Sequence, residues 1–207
     1  METLRTFIAI ELDGTLKAAL HRVQERLGGE VPARSVRWVQ PDGIHLTLKF
    51  LGDTPADKVE AVKAALARAA AKVEPFHFSM VGLGAFPNTR QPRVVWVGLQ
   101  EPSGALSRLQ REVEVQVAPL GFPTERRAFS PHLTLGRVQQ VASHTDARQI
   151  GEAVAASLID TLGEMRATSV FYIKSELRPG GAVYTTLDEA RLGAAKEMSG
   201  TDGALKR

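Results

Sequence analysis

The chain has 207 residues, 43% of them hydrophobic and 24% charged, with a formal net charge of +3 and a pI near 9.4. It contains no cysteine, which excludes disulfides, thiolate metal sites and a cysteine nucleophile, and points to a reducing, cytoplasmic setting. The mild basicity is not that of a strong duplex-DNA binder, though it suits a small polyanionic substrate, and the five histidines show no His-x-His or HExxH spacing for a dedicated metal site.

The opening "TFIAIEL" (6–12) is a short apolar run with β-branched and aromatic bias, hence a buried strand. It is too short for a signal peptide, and nothing in the chain approaches the ~20 apolar residues of a membrane span. Leu16, Ala19, Leu20, Val23 and Leu27 recur at helical spacing before a Gly-Gly stop, predicting a helix over 15–29. "SVRWVQPDGIHLTLKFLG" (35–52) reads as a short strand, a Pro-Asp-Gly turn and a longer alternating strand. An alanine-rich amphipathic helix is predicted over 53–73, started by Asp53 or Thr54 with Pro55 close behind. Strands over 76–87 and 93–99 and a helix over 103–121 follow. A strand over 128–138, a helix over 144–158 and two final strands over 166–177 and 182–192 complete the succession. The two halves, around 1–90 and 91–190, share an order of elements with no linker between them. An α+β fold with two pseudo-equivalent lobes around one core is therefore expected, as a single unit over 1–192. The segment 193–207 loses periodicity and aromatics and is expected to be a flexible tail.

The tetrapeptide HLTL occurs at 45–48 and again at 132–135. In a strand, residues two apart share a face. His45 and Thr47 then face one way and Leu46 and Leu48 the other, as His132 and Thr134 oppose Leu133 and Leu135. The leucines feed a core; the polar faces are left for something wet. If the lobes pair about a pseudo-two-fold axis, two imidazoles and two hydroxyls meet across one cleft. Such a set suits hydrolysis at phosphorus. One neutral imidazole takes a proton from water, an imidazolium protonates the leaving alkoxide, and the threonines donate to the non-bridging oxygens. A single copy of the motif is ordinary strand composition; two copies at matched places in the succession are not.

These motifs and their flanks, "TFIAIEL", "VRWVQPDGIHLTLKFLG", "LGAFPNTRQPRVVWVGL", "FSPHLTLGR" and "SELRPGGAVYTTL", resemble the 2H phosphoesterases, whose signature is a pair of His-x-Thr/Ser-x motifs. More closely the chain is similar to the bacterial and archaeal RNA 2′,3′-cyclic phosphodiesterases, also called 2′-5′ RNA ligases, over about residues 5–190. The resemblance implies a bilobal fold with antiparallel sheets lining a central cleft. It also implies metal-free, cofactor-free opening of a 2′,3′-cyclic phosphate on single-stranded RNA or a nucleotide to a 2′-phosphate, with 2′-5′ ligation as the reverse. His45 and His132 match the catalytic pair, Thr47 and Thr134 the phosphate-binding hydroxyls, and Arg137 a further phosphate ligand. Simple alternation puts Arg137 on the wrong face, so its role requires a twist or bulge, with Gly136 the suggested place. The motifs are identical, so their residues leave the acid and base roles interchangeable; O3′ is the expected leaving group, with His45 preferred as acid and His132 as base.

Trp38, Lys49, Arg126 and Arg127 are the remaining candidates for contacts to RNA, Lys49 because it shares the parity of His45 and Thr47. Phe7, Phe50 and Trp96 are expected in the core, and His21, His77 and His144 in structural or exposed places. A monomer is the default, with no membrane partner. Two rivals are kept: a phosphoesterase for another cyclic or 2′-5′-linked nucleotide, and a non-catalytic module that binds RNA ends.

Overall fold

The computed structural model describes residues 2–157, 159–178 and 181–193. Among these residues nine strands and four α-helices follow in the order β1 (Thr3–Glu11), α1 (Gly14–Glu30), β2 (Val36–Trp38), β3 (His45–Pro55), α2 (Val59–Ala70), β4 (Phe76–Phe86), β5 (Val94–Gln100), α3 (Ala105–Val117), β6 (His132–Val138), α4 (His144–Ala156), β7 (Gly163–Ala167), β8 (Ser169–Arg178) and β9 (Gly181–Arg191). The strands form two antiparallel sheets, one ordered β3-β1-β8-β9 and the other β2-β6-β5-β4-β7. In each sheet a motif strand pairs with a neighbour, β3 with β1 and β6 with β5. The predicted α+β class and two-lobed plan hold, but the lobes are not the two halves of the chain. β8 and β9 return to the first sheet, while β2 and β4 join the second.

Local chemistry explains most boundaries. The Asp13 carboxylate accepts from the Leu16 N–H at 2.8 Å and opens α1. A capping box between Ser143 and Asp146 opens α4. Two predicted boundaries moved for one reason, the demand of backbone groups for a sheet partner. The helix predicted from 53 starts at Val59, because residues 53–55 extend β3 and pair with residues 3–5 of β1. The strand predicted over 166–177 is broken at Thr168: Ala167 pairs with Phe76 of the second sheet, and Ser169 with Arg191 of the first. The tail predicted from 193 lies, beyond Gly193, outside the described residues.

The core lies between sheets and helices. Leu46, Leu48, Leu133 and Leu135 enter it at 0–4% exposure, with Leu20 and Leu27 of α1, Leu66 of α2 and Leu109 of α3. A small second cluster, Phe7, Ala9 and Ile173 with Phe171 against it, lies on the opposite face of the first sheet and floors the cleft.

Candidate active site

Each motif strand starts with its histidine, and β3 and β6 touch across the junction of the two sheets. The junction is tied by backbone: Val39 N–H donates to the Leu135 carbonyl at 2.8 Å, and the buried Gln24 amide donates to both the Val39 and Leu135 carbonyls at 2.7 and 2.9 Å. Alternation holds over the first four residues of each strand. Leu46, Leu48, Leu133 and Leu135 are buried, while His45, Thr47, His132 and Thr134 stay partly open. Neither threonine hydroxyl has a hydrogen-bond partner among the described residues, so both are free to donate.

Both strands then break register at the same distance from the histidine. In the β1–β3 ladder Ala9 pairs with Thr47 but Ile8 with Lys49, leaving Leu48 over. In the β5–β6 ladder Trp96 pairs with Thr134 but Val95 with Gly136, leaving Leu135 over. An extra residue inverts the parity of the residues after it. Arg137 thereby comes to the face of His132 and Thr134, and Phe50 to the face of His45 and Thr47. Gly136 itself points inward, where a side chain would collide with Val36 and Trp38 at 2.6 and 2.8 Å.

The same inversion overturns two expectations. Lys49 does not reach the cleft: it is 7% exposed, and its ammonium pairs with Glu114 of α3 at 2.8 Å and donates to the Pro123 carbonyl at 2.5 Å. Phe50, expected in the core, is 60% exposed on the cleft face, its ring 5.8 Å from that of Phe7. Trp38 is a further correction. It packs on the helix side of the sheet, against Gly136 and with its indole nitrogen over Gly28 of α1, away from the cleft. Arg126 and Arg127 are exposed in the loop before β6, where their backbone N–H groups donate to the Glu125 carboxylate at 2.9 and 3.2 Å; among the described residues no hydrogen bond or ion pair joins their side chains to the motif residues.

The two imidazoles are bedded differently. His132 Nδ1 lies 2.8 Å from the Ser130 carbonyl, two residues back, and this bond leaves Nε2 facing outward. Its ring meets Phe86 edge-on at 4.9 Å and Trp96 at 6.4 Å. Trp96 lies on the cleft floor above Gly84, where any Cβ would come within 2.2 Å of the indole. The Gly43 carbonyl, two residues back, lies near the His45 ring. The ring stacks on Phe7 at 4.5 Å and meets Tyr184 edge-on at 5.2 Å. These rings strip water from His45, and with the nearby Lys17 ammonium they hold its pKa at about 4, well below the usual value, against the upward pull of the Gly43 carbonyl. Burial also raises the Tyr184 phenol, which lies near enough to Arg137 and Arg5 for their charges to oppose the rise. Tyr184, from the far end of the chain, thus touches His45 and senses Arg137, linking the two motifs in one cleft.

Sequence reasoning missed Tyr184 and Lys17, which carry no local signal, and Phe50, whose place depends on the register shift. No group of three or more His, Cys, Asp or Glu side chains able to hold a metal occurs among the described residues. No helix among them is long and apolar enough to cross a membrane.

Comparison with known proteins agrees with this architecture. A family model described as LigT like phosphoesterase matches the chain twice, over residues 10–96 and 97–184, one motif in each match. An RNA 2′,3′-cyclic phosphodiesterase of Methanothermobacter thermautotrophicus is 36% identical over 189 residues, covering 91% of this chain and 99% of its own. One from Aquifex aeolicus is 32% identical over 196 residues, covering 93% and 100%. Among solved structures, a Thermus thermophilus protein superposes with a TM-score of 0.76 at 28% identity, covering 91% of this chain and 98% of that one. Escherichia coli LigT complexed with 3′-AMP gives 0.72 at 26%, covering 92% and 99%. With both halves matched by the family model and the fold shared over about nine-tenths of the chain, the chain belongs to the LigT-like phosphoesterase family.

Proposed function

We propose that this protein is an RNA 2′,3′-cyclic phosphodiesterase that opens the cyclic phosphate at the end of a single-stranded RNA, or of a nucleotide, to a 2′-phosphate. The observation that carries the reading is the matched pair of histidines. Each opens a motif strand on the cleft face with a carbonyl two residues back beside its ring, Ser130 at 2.8 Å from His132 Nδ1 and Gly43 near His45, and each is proposed to keep a ring nitrogen for proton transfer at a shared phosphorus. The names of the curated relatives give the substrate class.

The bedding of the rings separates their roles. With a pKa of about 4, roughly one His45 in a thousand is protonated at pH 7 in the free cleft, so His45 suits the base and poorly suits the acid. This reverses the assignment preferred from the motifs. Neutral His45 takes a proton from water as its oxygen bonds to phosphorus. The P–O3′ bond breaks in line, and protonated His132 gives its Nε2 proton to O3′. The products are a 2′-phosphomonoester and a free 3′-hydroxyl. The Thr47 and Thr134 hydroxyls and the Arg137 guanidinium bind the non-bridging oxygens, where charge is held. Phe50 offers an exposed ring beside this centre for a base to stack on. The chemistry needs neither metal nor covalent intermediate. Run backwards, it joins a 2′-phosphate end to a 5′-hydroxyl, a minor course where water is abundant.

The test is incubation with 2′,3′-cyclic AMP in EDTA, with 2′-AMP resolved from 3′-AMP. Formation of 2′-AMP by the native protein, with turnover at least ~10²-fold lower for folded His45→Ala and His132→Ala, is the expected result. Exclusive 3′-AMP, or activity abolished by EDTA, refutes it. Binding without turnover means a module that holds RNA ends.

A further inference from the structure

Arg37 takes no part in the reaction described above, yet its placement is unusual. It is the direct cross-strand partner of Arg137 in the β2–β6 ladder. Its neighbours Val36 and Trp38 point toward the helices, packing around Gly136, so Arg37 points the other way, to the face that carries Arg137. Both arginines are exposed, and neither makes an ion pair or hydrogen bond among the described residues. Like charges placed directly opposite in a ladder destabilise it. A surface pair of this kind is normally relieved by a carboxylate, and here none does so. One Nη of Arg37 also comes within 3.8 Å of where a Cβ would stand on Gly181, at the start of β9. The guanidinium thus lies at the mouth of the cleft, between the edge of the second sheet and the strand that carries Tyr184. If Arg137 meets the reacting phosphate, Arg37, its direct cross-strand partner, lies beside it at the cleft mouth, where a strand leading to that phosphate can pass.

We infer that Arg37 is the subsite for a second phosphate of the substrate: the phosphodiester one nucleotide upstream of the cyclic end in RNA. This rests on the function proposed above and deepens it, since a mononucleotide has no such phosphate. The arginine pair then stays apart in the free protein at a small cost in stability and is neutralised when an RNA strand enters. Arg37 makes the cleft a reader of oligonucleotide ends in preference to cyclic mononucleotides.

The experiment compares kcat/KM for 2′,3′-cyclic AMP with that for a diadenosine carrying a 2′,3′-cyclic phosphate end, in the native protein and in Arg37→Gln. The native protein is expected to favour the dinucleotide. Arg37→Gln is expected to lose about 10-fold or more on the dinucleotide, with cyclic AMP unchanged. The slope of log kcat/KM against log salt should flatten by about 0.7 for the dinucleotide alone. The variant should melt no lower than the native protein, because a repulsion has been removed. Equal values for the two substrates in the native protein, or an equal fall on both in the variant, overturns the inference. Should the native protein hydrolyse neither substrate, the proposed function fails by itself. Arg37 is then read by fluorescence anisotropy with a labelled 2′-phosphorylated dinucleotide: weaker binding to Arg37→Gln sustains the subsite, and unchanged binding overturns it.

Discussion

Replacing Lys49 with methionine separates the observed register of β3 from the one that simple alternation predicts. In the observed register the Lys49 ammonium is buried against Glu114 at 2.8 Å and the Pro123 carbonyl at 2.5 Å. Glu114 otherwise receives only long contacts, from the Gln110 amide at 3.3 Å and the Glu125 N–H at 3.4 Å. Removing the lysine leaves a carboxylate at 12% side-chain exposure with no counter-charge. The cost of such an orphan is about 3–5 kcal/mol, although the intact pair is itself worth little against an apolar replacement. With an unfolding entropy of about 2.1 cal/mol/K per residue, a 207-residue chain should lose about 7–12 °C in Tm. Lys49→Met/Glu114→Gln should recover most of the loss, since the uncompensated charge is then gone. Thermal unfolding of the two single variants and the double variant measures the coupling. Turnover of 2′,3′-cyclic AMP, at a temperature where all are folded, should match the native protein within about two-fold. An unchanged Tm with a ten-fold loss of kcat/KM would mean that Lys49 faces the substrate and that the register argument is wrong.

Other outcomes rest on the same structure. The proposed base His45, with a pKa of about 4, sets an acid limb in kcat/KM near pH 4; were it the acid, kcat/KM would instead fall about ten-fold per pH unit above that point. Because its pKa is lower folded than unfolded, the unfolded chain binds more protons between about pH 6.5 and 4, so stability is lost on acidification, by ~3 kcal/mol at pH 4. His45→Gln should remove that part of the pH dependence in urea titrations, and an unaltered dependence would show that His45 is not desolvated. Phe50→Ala should raise KM for cyclic AMP by about 5-fold or more with no loss of Tm, as expected of an exposed stacking ring; a fall in Tm of several degrees would place Phe50 in the core instead. Gly84→Ala drives a Cβ into the Trp96 indole at 2.2 Å, which should cost about 1–3 kcal/mol and lower kcat by disturbing the floor beneath Thr134 and His132; native stability and turnover would mean that the indole moves freely.

Much was legible in one dimension because it depends on short-range rules. Strand periodicity assigned Leu46, Leu48, Leu133 and Leu135 to the interior and His45, Thr47, His132 and Thr134 to the opposite face, and four residues of regular backbone suffice for that. The duplicated motif marked a two-lobed fold for the same reason, since each copy opens a strand and is followed by a helix. Beyond the fourth residue the rule failed. Lys49, Phe50 and Arg137 are assigned to faces by extra residues in ladders with β1 and β5, so their orientation is a property of strand pairs. Trp38 could not be sorted either, because the glycines that admit its ring belong to α1 and β6.

The sequence by itself singled out the side chains to which the proposed chemistry is assigned: two histidines, two threonines and an arginine at fixed offsets on two strands. Tertiary structure alone decided what surrounds each of them. Two copies of one tetrapeptide have identical intrinsic acidity, and no local signal distinguishes them. Phe7, Tyr184 and Lys17, brought from three separate elements, desolvate and repel charge at His45, while His132 lies against Phe86 and Trp96. Solvation and charge act through space, and distances through space are set by the fold.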